Sequence, residues 1–238
     1  MTDTRSRILA SIRKSLSSAR HLPPVEDPRS TATGTSSVTL PPPLPMTDYS
    51  LLVHQFADEL HKLDGTFIAE AAEKIPARVM QLLRERNAEA VLAWSAENLP
   101  VPGLLDHLRQ EGIKIVDADV PRGEPDRAQK LAEIEKTTVG ITGADAALAD
   151  TGTLALRSGP GRSRLASLSV RTHVALFTPE QLHASWAAWW ATLSDCAEWV
   201  SGASNLTLIS GPSRTADIEM TLTVGVHGPR EVIALYAD

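Results

Sequence analysis

The chain has a single cysteine, Cys196, in 238 residues. One thiol cannot close an intramolecular disulfide, and one thiolate cannot hold an iron–sulfur cluster, which ordinarily takes four. No run approaches the ~18 consecutive apolar residues of a membrane span. The N-terminus lacks the apolar stretch of a secretory signal. Basic charge does not dominate: the net charge is −6, which argues against a general nucleic-acid coat, since duplex binding needs a basic face. There is no phosphate-cradling Gly-x-x-x-x-Gly-Lys loop and no Gly-x-Gly-x-x-Gly turn. No His, Asp or Glu group has metal-ligand spacing. The expectation is a cytoplasmic protein with no membrane span, no nucleic-acid partner, and no metal or other cofactor of its own.

What is present falls into three segments. Residues 1–20, "MTDTRSRILASIRKSLSSAR", place Ile8, Leu9, Ile12 and Leu16 at helical spacing and carry a net charge of +4 (five basic residues against Asp3). Such a basic helix suits an organelle transit peptide, a membrane-surface helix or a docking arm. Its four-residue apolar stripe favours docking on a neighbouring subunit or partner. Residues 21–47 hold seven prolines among many Ser and Thr, a composition that buries no core and reads as an extended linker. The body spans 48–238.

The body alternates. A helix opens at Thr47 or Asp48 with Leu51, Leu52, Phe56 and Leu60 on its apolar face. "GTFIAEA", "AEAVLAW", "IKIVDAD" and "TVGIT" read as strands, separated by helices from Pro76 to Arg86, over "GLLDHLRQEG", and over 125–137. "ADAALAD" reads as a helical turn or two. Then come the strands "TLALRS" and "HVALF", a Trp-rich helix "PEQLHASWAAWWATL", and the strands "LTLIS" and "VIALYAD". Wholly apolar strands between helices argue for a mostly parallel sheet covered on both faces. The tighter spacing after residue 138 predicts a partly antiparallel or irregular C-terminal part.

Three loops share one pattern: Gly159-Pro160-Gly161-Arg162 with Arg164 beyond, Gly211-Pro212-Ser213-Arg214, and Gly228-Pro229-Arg230. Glycine frees φ and proline fixes it, so each forms a turn that presents an arginine. No lysine follows Lys136; the six basic residues beyond it are Arg157, Arg162, Arg164, Arg171, Arg214 and Arg230. The guanidinium fork suits carboxylate or phosphate. The pattern predicts one arginine-lined, glycine-backed cleft at one end of the sheet for a small anion or an acidic partner segment. The competing reading has these arginines pairing with acids such as Asp217 and Glu219. Ser213 and Thr215 read as the start of a helix, with Asp217 and Glu219 in its first turns, where acids favour the dipole and free N–H groups take an anion.

In "GITGADAALADTGTLAL", Asp145 follows a strand end, where an aspartate suits general-base work. Thr151, Gly152 and Thr153 offer hydroxyls and a close backbone approach to a ligand; the plainer reading is a helix cap and a turn. His227 precedes the third loop as a candidate base near Arg230 or a loop hydrogen-bonder. Trp186, Trp189 and Trp190 read as core or subunit interface, and Cys196 as a small buried hydrophobe.

The ordered set "TVGITGADAALADTGTL", "SGPGRSR" and "ISGPSRTADIEMTLTVGVHGPRE" resembles the LUD-domain family, in particular its lactate utilisation protein C branch, over residue 48 to the end and most closely over 138–238. The resemblance implies a NagB/RpiA/CoA-transferase-like fold, a three-layer α/β/α sandwich. It implies a part in an L-lactate dehydrogenase complex that oxidises L-lactate to pyruvate beside Cys-rich partner proteins carrying the iron–sulfur clusters. The "GAD…DTGT" stretch is also similar to the motif of sugar-phosphate isomerases of that fold, whose matching aspartate lies in the active site, which puts weight on Asp145. Two other readings stay open: a stand-alone isomerase or transferase on a phosphorylated sugar or acyl-CoA, and a regulatory module that binds a small acid.

Overall fold

A computed structural model describes residues 8–11, 13–14, 49–120, 125–193, 199, 202–216 and 222–238. The chain divides into two units, 1–41 and 42–238. In the first, the described residues are helical and expose Ile8 and Leu9. In the second, six parallel strands form the main sheet. They are β1 (Thr66–Glu70), β2 (Ala90–Ala93), β3 (Lys114–Asp117), β4 (Val139–Gly143), β7 (Thr172–Phe177) and β12 (Glu231–Ala237), in the order β1-β12-β7-β4-β2-β3.

Helices link the strands as the apolar periodicity predicts. They are α1 (Tyr49–Lys62), α2 (Ile75–Glu85), α3 (Leu104–Gln110) and α4 (Asp126–Lys136). α1 buries Phe56 and Leu60, while Leu51 of its expected apolar face points to solvent. α2 starts with Pro76 in its first turn, where the missing N–H costs nothing, and buries Ile75, Val79, Met80, Leu82 and Leu83. The main sheet has two covered faces. A side chain at Gly140 would run into the Ala166 carbonyl of the short helix α5 (Leu165–Leu168), and one at Gly143, on the opposite face, would meet the carbonyl of Asn98. Phe56 packs against Phe177 at 5.2 Å, and Phe177 against Tyr236 at 5.4 Å, on the same face as α5. The result is the expected three-layer α/β/α arrangement.

On that face His173 is fully buried beside Gly140, its cross-strand partner. Its Nε2 meets the Thr142 hydroxyl at 2.8 Å, and its Nδ1 has no partner. Burial pushes its pKa down to about 3, so the ring is neutral.

The second half departs from βα alternation. β5 (Ala146–Leu148), β6 (Thr153–Ser158), β8 (Leu182–His183) and β9 (Asn205–Ile209) make a smaller sheet in the order β8-β5-β6-β9, with β5–β6 and β6–β9 antiparallel. The middle of "ADAALAD", Ala146–Leu148, is therefore a fully buried strand and not a helical turn. Its Ala-rich composition favours a helix locally, but pairing with β6 and β8 prevails. The Trp-rich helix shrinks to α6 (Trp186–Thr192), after a single turn at 179–181 and β8. Of the three tryptophans read as core or subunit interface, Trp189 is buried against Ala146, Leu148 and Ala155, Trp190 is half-buried and Trp186 is exposed. "SRTADIEM" does not start a helix: β10 (Arg214–Ala216) pairs antiparallel with β11 (Leu222–Val224). Ser213 and Thr215 therefore cap nothing, and Asp217, Glu219 and Cys196 lie outside the described residues. No helix among the described residues is long and apolar enough to cross a membrane.

Candidate functional site

The three arginine loops do not form one cleft. The Ser95 N–H donates to the Gly161 carbonyl at 2.9 Å, which puts the first loop just past the end of β2, at the C-terminal end of the main sheet. The third loop leads into β12, and the Arg230 N–H donates to the Arg171 carbonyl just ahead of β7, at the opposite end. At about 3.3 Å per residue, strands of this length hold the two ends roughly 15–20 Å apart.

At the C-terminal end Asp145 follows β4 and is nearly buried. One oxygen accepts from Arg162 at 2.8 Å, the other from the Arg157 N–H at 2.6 Å. Arg162 also donates to Asn98 at 2.6 Å and lies 5.4 Å from the Trp94 ring centre. Arg157 stacks on Trp199 at 4.7 Å. Gly161 has φ 66°, and a Cβ there would strike the Ser95 hydroxyl. Both Asp145 oxygens are thus engaged by positive or N–H donors, and a proton abstracted from a substrate would have to compete with them. The arrangement fastens the first loop to the sheet. Gly159 exchanges backbone hydrogen bonds with Arg162 in the same turn, and Arg164 is exposed beyond it.

The Thr151-Gly152-Thr153 turn is spent on packing. Gly152 has φ 58° and touches the backbone of Glu59 and Leu60 in α1. Thr153 shares a 2.7 Å hydrogen bond with Ser210, and Thr151 donates to Asp150.

The second and third loops do meet. The Ser213 N–H donates to the Pro229 carbonyl at 2.9 Å, and the Gly225 N–H to the Ser213 carbonyl at 2.8 Å. Gly211, at φ 91°, lies against the Leu63 carbonyl. Arg214 donates one hydrogen bond to the exposed Asp64 at 2.7 Å. Thr215 lies opposite Thr223 in the β10–β11 ladder. Beside this junction a cavity of about 400 Å³ is walled by 168–171 on one side and by 225–228 with Arg230 on the other. His227 and Gly228 are in that wall. Arg171 and Gly225 also line it, and the loop pattern did not single them out. Arg171 was visible only as one of six arginines without an intervening lysine.

Next in sequence to Arg230, Glu231 is gripped by Arg86 with two bonds, at 2.8 and 2.5 Å, and Thr172 donates to the same carboxylate at 2.8 Å. The Arg86 hydrogen bond holds the Glu231 carboxyl below its usual range, against the opposing effect of burial. No group of three or more His, Cys, Asp or Glu able to hold a metal occurs among the described residues.

A family model described as the LUD domain matches residues 53–235. The chain belongs to the LUD-domain family. This LUD domain is 31% identical to lactate utilization protein C of Halalkalibacterium halodurans, over 75% of each chain. It is 34% identical to the protein of the same name from Macrococcus caseolyticus, over 72% of this chain and 71% of that one. The crystal structure of a DUF162 family protein from Deinococcus radiodurans superimposes with a TM-score of 0.59 at 18% identity, covering 81% of this chain and 99% of that one. That likeness gives the LUD domain its fold and no more.

Proposed function

We propose that this LUD protein works in lactate utilisation as the cluster-free subunit of a cytoplasmic complex that oxidises L-lactate to pyruvate. The oxidation releases two electrons and two protons, and the electrons pass to iron–sulfur clusters on Cys-rich partner proteins. The observation that carries this reading is the likeness to proteins named lactate utilization protein C over about three-quarters of the chain. The lone cysteine supports it, because a cluster ordinarily needs four thiolates. The basic segment 1–20, with Ile8 and Leu9 exposed, suits a docking arm for such a partner. The engagement of Asp145 by Arg157 and Arg162 weighs against a stand-alone isomerase that uses Asp145 as its acid or base. The test is anaerobic affinity purification of the tagged full chain from its native host grown on L-lactate. Iron, acid-labile sulfide and lactate-dependent dye reduction should co-elute with it. Recovery of an iron-free single chain with no dye reduction would overturn the reading.

A further inference from the structure

We propose that the cavity at the N-terminal end of the main sheet is a binding site for a small-molecule oxyanion, a phosphoryl- or carboxylate-bearing compound held between Arg171 and Arg230. Such a site is independent of lactate oxidation.

Arg86, Arg157, Arg162 and Arg214 all make hydrogen bonds or ion pairs to other side chains or to the backbone. The side chains of Arg164, Arg171 and Arg230 make none among the described residues, and of these three only Arg171 and Arg230 line the cavity. The backbone brings them together: the Arg171 carbonyl accepts from the N–H groups of Arg230 at 2.8 Å and Glu231 at 3.1 Å. Two exposed arginines issuing from hydrogen-bonded backbone segments can both turn to one anion, which would offset their mutual repulsion. The nearest acid in sequence cannot serve, because Glu231 is committed to Arg86 and Thr172.

Room has been left for one of the two arginines. Gly225 has φ 77°, and a Cβ there would coincide with the Arg230 side-chain stem, so glycine is what lets Arg230 lie across this turn. His227 adds a third donor at the rim. Leu168, Val170 and Val226 give the wall an apolar part, which suits a ligand with an organic body. A volume of about 400 Å³ lies within the ~300–1,000 Å³ range of small-molecule pockets. The site stands at the other end of the sheet from the Asp145–Arg162 pair.

Isothermal titration of the full-length chain tests this with five probes: inorganic phosphate, pyrophosphate, citrate, L-lactate and pyruvate. The variants are Arg171→Ala, Arg230→Ala, Gly225→Ala, and Arg84→Ala as a charge-matched control on the surface of α2. At least one probe should bind saturably at one site. Each arginine variant should weaken it about tenfold or more, as loss of a charge-assisted bond predicts, and Gly225→Ala should weaken it while leaving the charge intact. Arg84→Ala should bind as the parent does. Binding of phosphates alone makes the site phosphoryl-specific, and binding of carboxylates alone makes it a carboxylate site; both uphold it. Failure of all five probes overturns the proposal, as does affinity untouched by Arg171→Ala and Arg230→Ala, or lowered equally by Arg84→Ala. Partner recovery on lactate bears only on the complex, so the two readings fail separately.

Discussion

Lowering the pH from 8 to about 5 should destabilise this protein through His173 in a way that one substitution removes. The ring is fully buried, and its Nδ1 has no acceptor to receive a proton. Its folded pKa is about 3, against about 6.5 in an unfolded chain. Between those values the unfolded state binds a proton that the folded state refuses. This contribution is therefore complete above about pH 6.5 and shrinks as the pH falls toward 3. At pH 5 the loss amounts to about 2 kcal/mol for this one group. Urea denaturation at both pH values measures it, with His173→Gln as the comparison; glutamine is uncharged and can still reach Thr142. Glu231 and His183, whose pKa values are also lowered, titrate alike in both proteins and cancel. The parent should lose about 2 kcal/mol more than the variant between pH 8 and pH 5. Equal losses would refute the argument that the pocket around His173 excludes the proton.

Gly152→Ala should cost about 2–4 kcal/mol, since it combines a left-handed φ of 58° with a backbone clash against Leu60. Gly103→Ala, at φ 76° in open space, should lose only about 1–2 kcal/mol, and similar losses in thermal or urea melts would sink the packing argument. Asp145→Asn and Arg162→Ala should each destabilise by about 1–3 kcal/mol, while the double variant costs at least about 0.5 kcal/mol less than their sum. Additive losses in that cycle would mean the Asp145–Arg162 contact does not couple the first arginine loop to the sheet.

The parallel half of the fold was legible because each helix there carries its own apolar stripe and each strand its own apolar run. Ile75, Val79 and Leu83 in α2 are an example, and all three are buried. β5 was not legible, since Ala-Ala-Leu suits a helix or a buried strand equally and only β6 decides between them. The β10–β11 hairpin was hidden for a related reason: Ser213 and Thr215 look like a cap, and the partner strand lies beyond an intervening segment. The arginine loops expose a different limit. Local sequence shows that Gly-Pro-Arg makes a turn, but not the direction in which the strand beside it runs. The first and second loops each follow a strand of the smaller sheet, β6 and β9, yet those strands are antiparallel, so the two loops leave at opposite ends and the second meets the third, which precedes β12. No turn signal marks Arg171; the segment 168–171 forms one wall of the cavity, and the Arg171 carbonyl bonds to the Arg230 N–H.

The order β1-β12-β7 has a consequence for how the molecule assembles. β1 pairs with β12 alone, so Thr66 waits for Ile233 before it gains a neighbour. On a ribosome, β2, β3, β4 and β7 can align, and α1 can pack Phe56 on Phe177, while β1 still has no strand to pair with. The aromatic cluster of Phe56, Phe67, Phe177 and Tyr236 closes only when β12 arrives, because Tyr236 is one of its four rings. Such long-range closure slows folding and leaves an apolar edge open in the meantime. A nascent chain stalled before residue 231 should therefore be the form that chaperones retain and proteases cut, with β1 as its exposed handle.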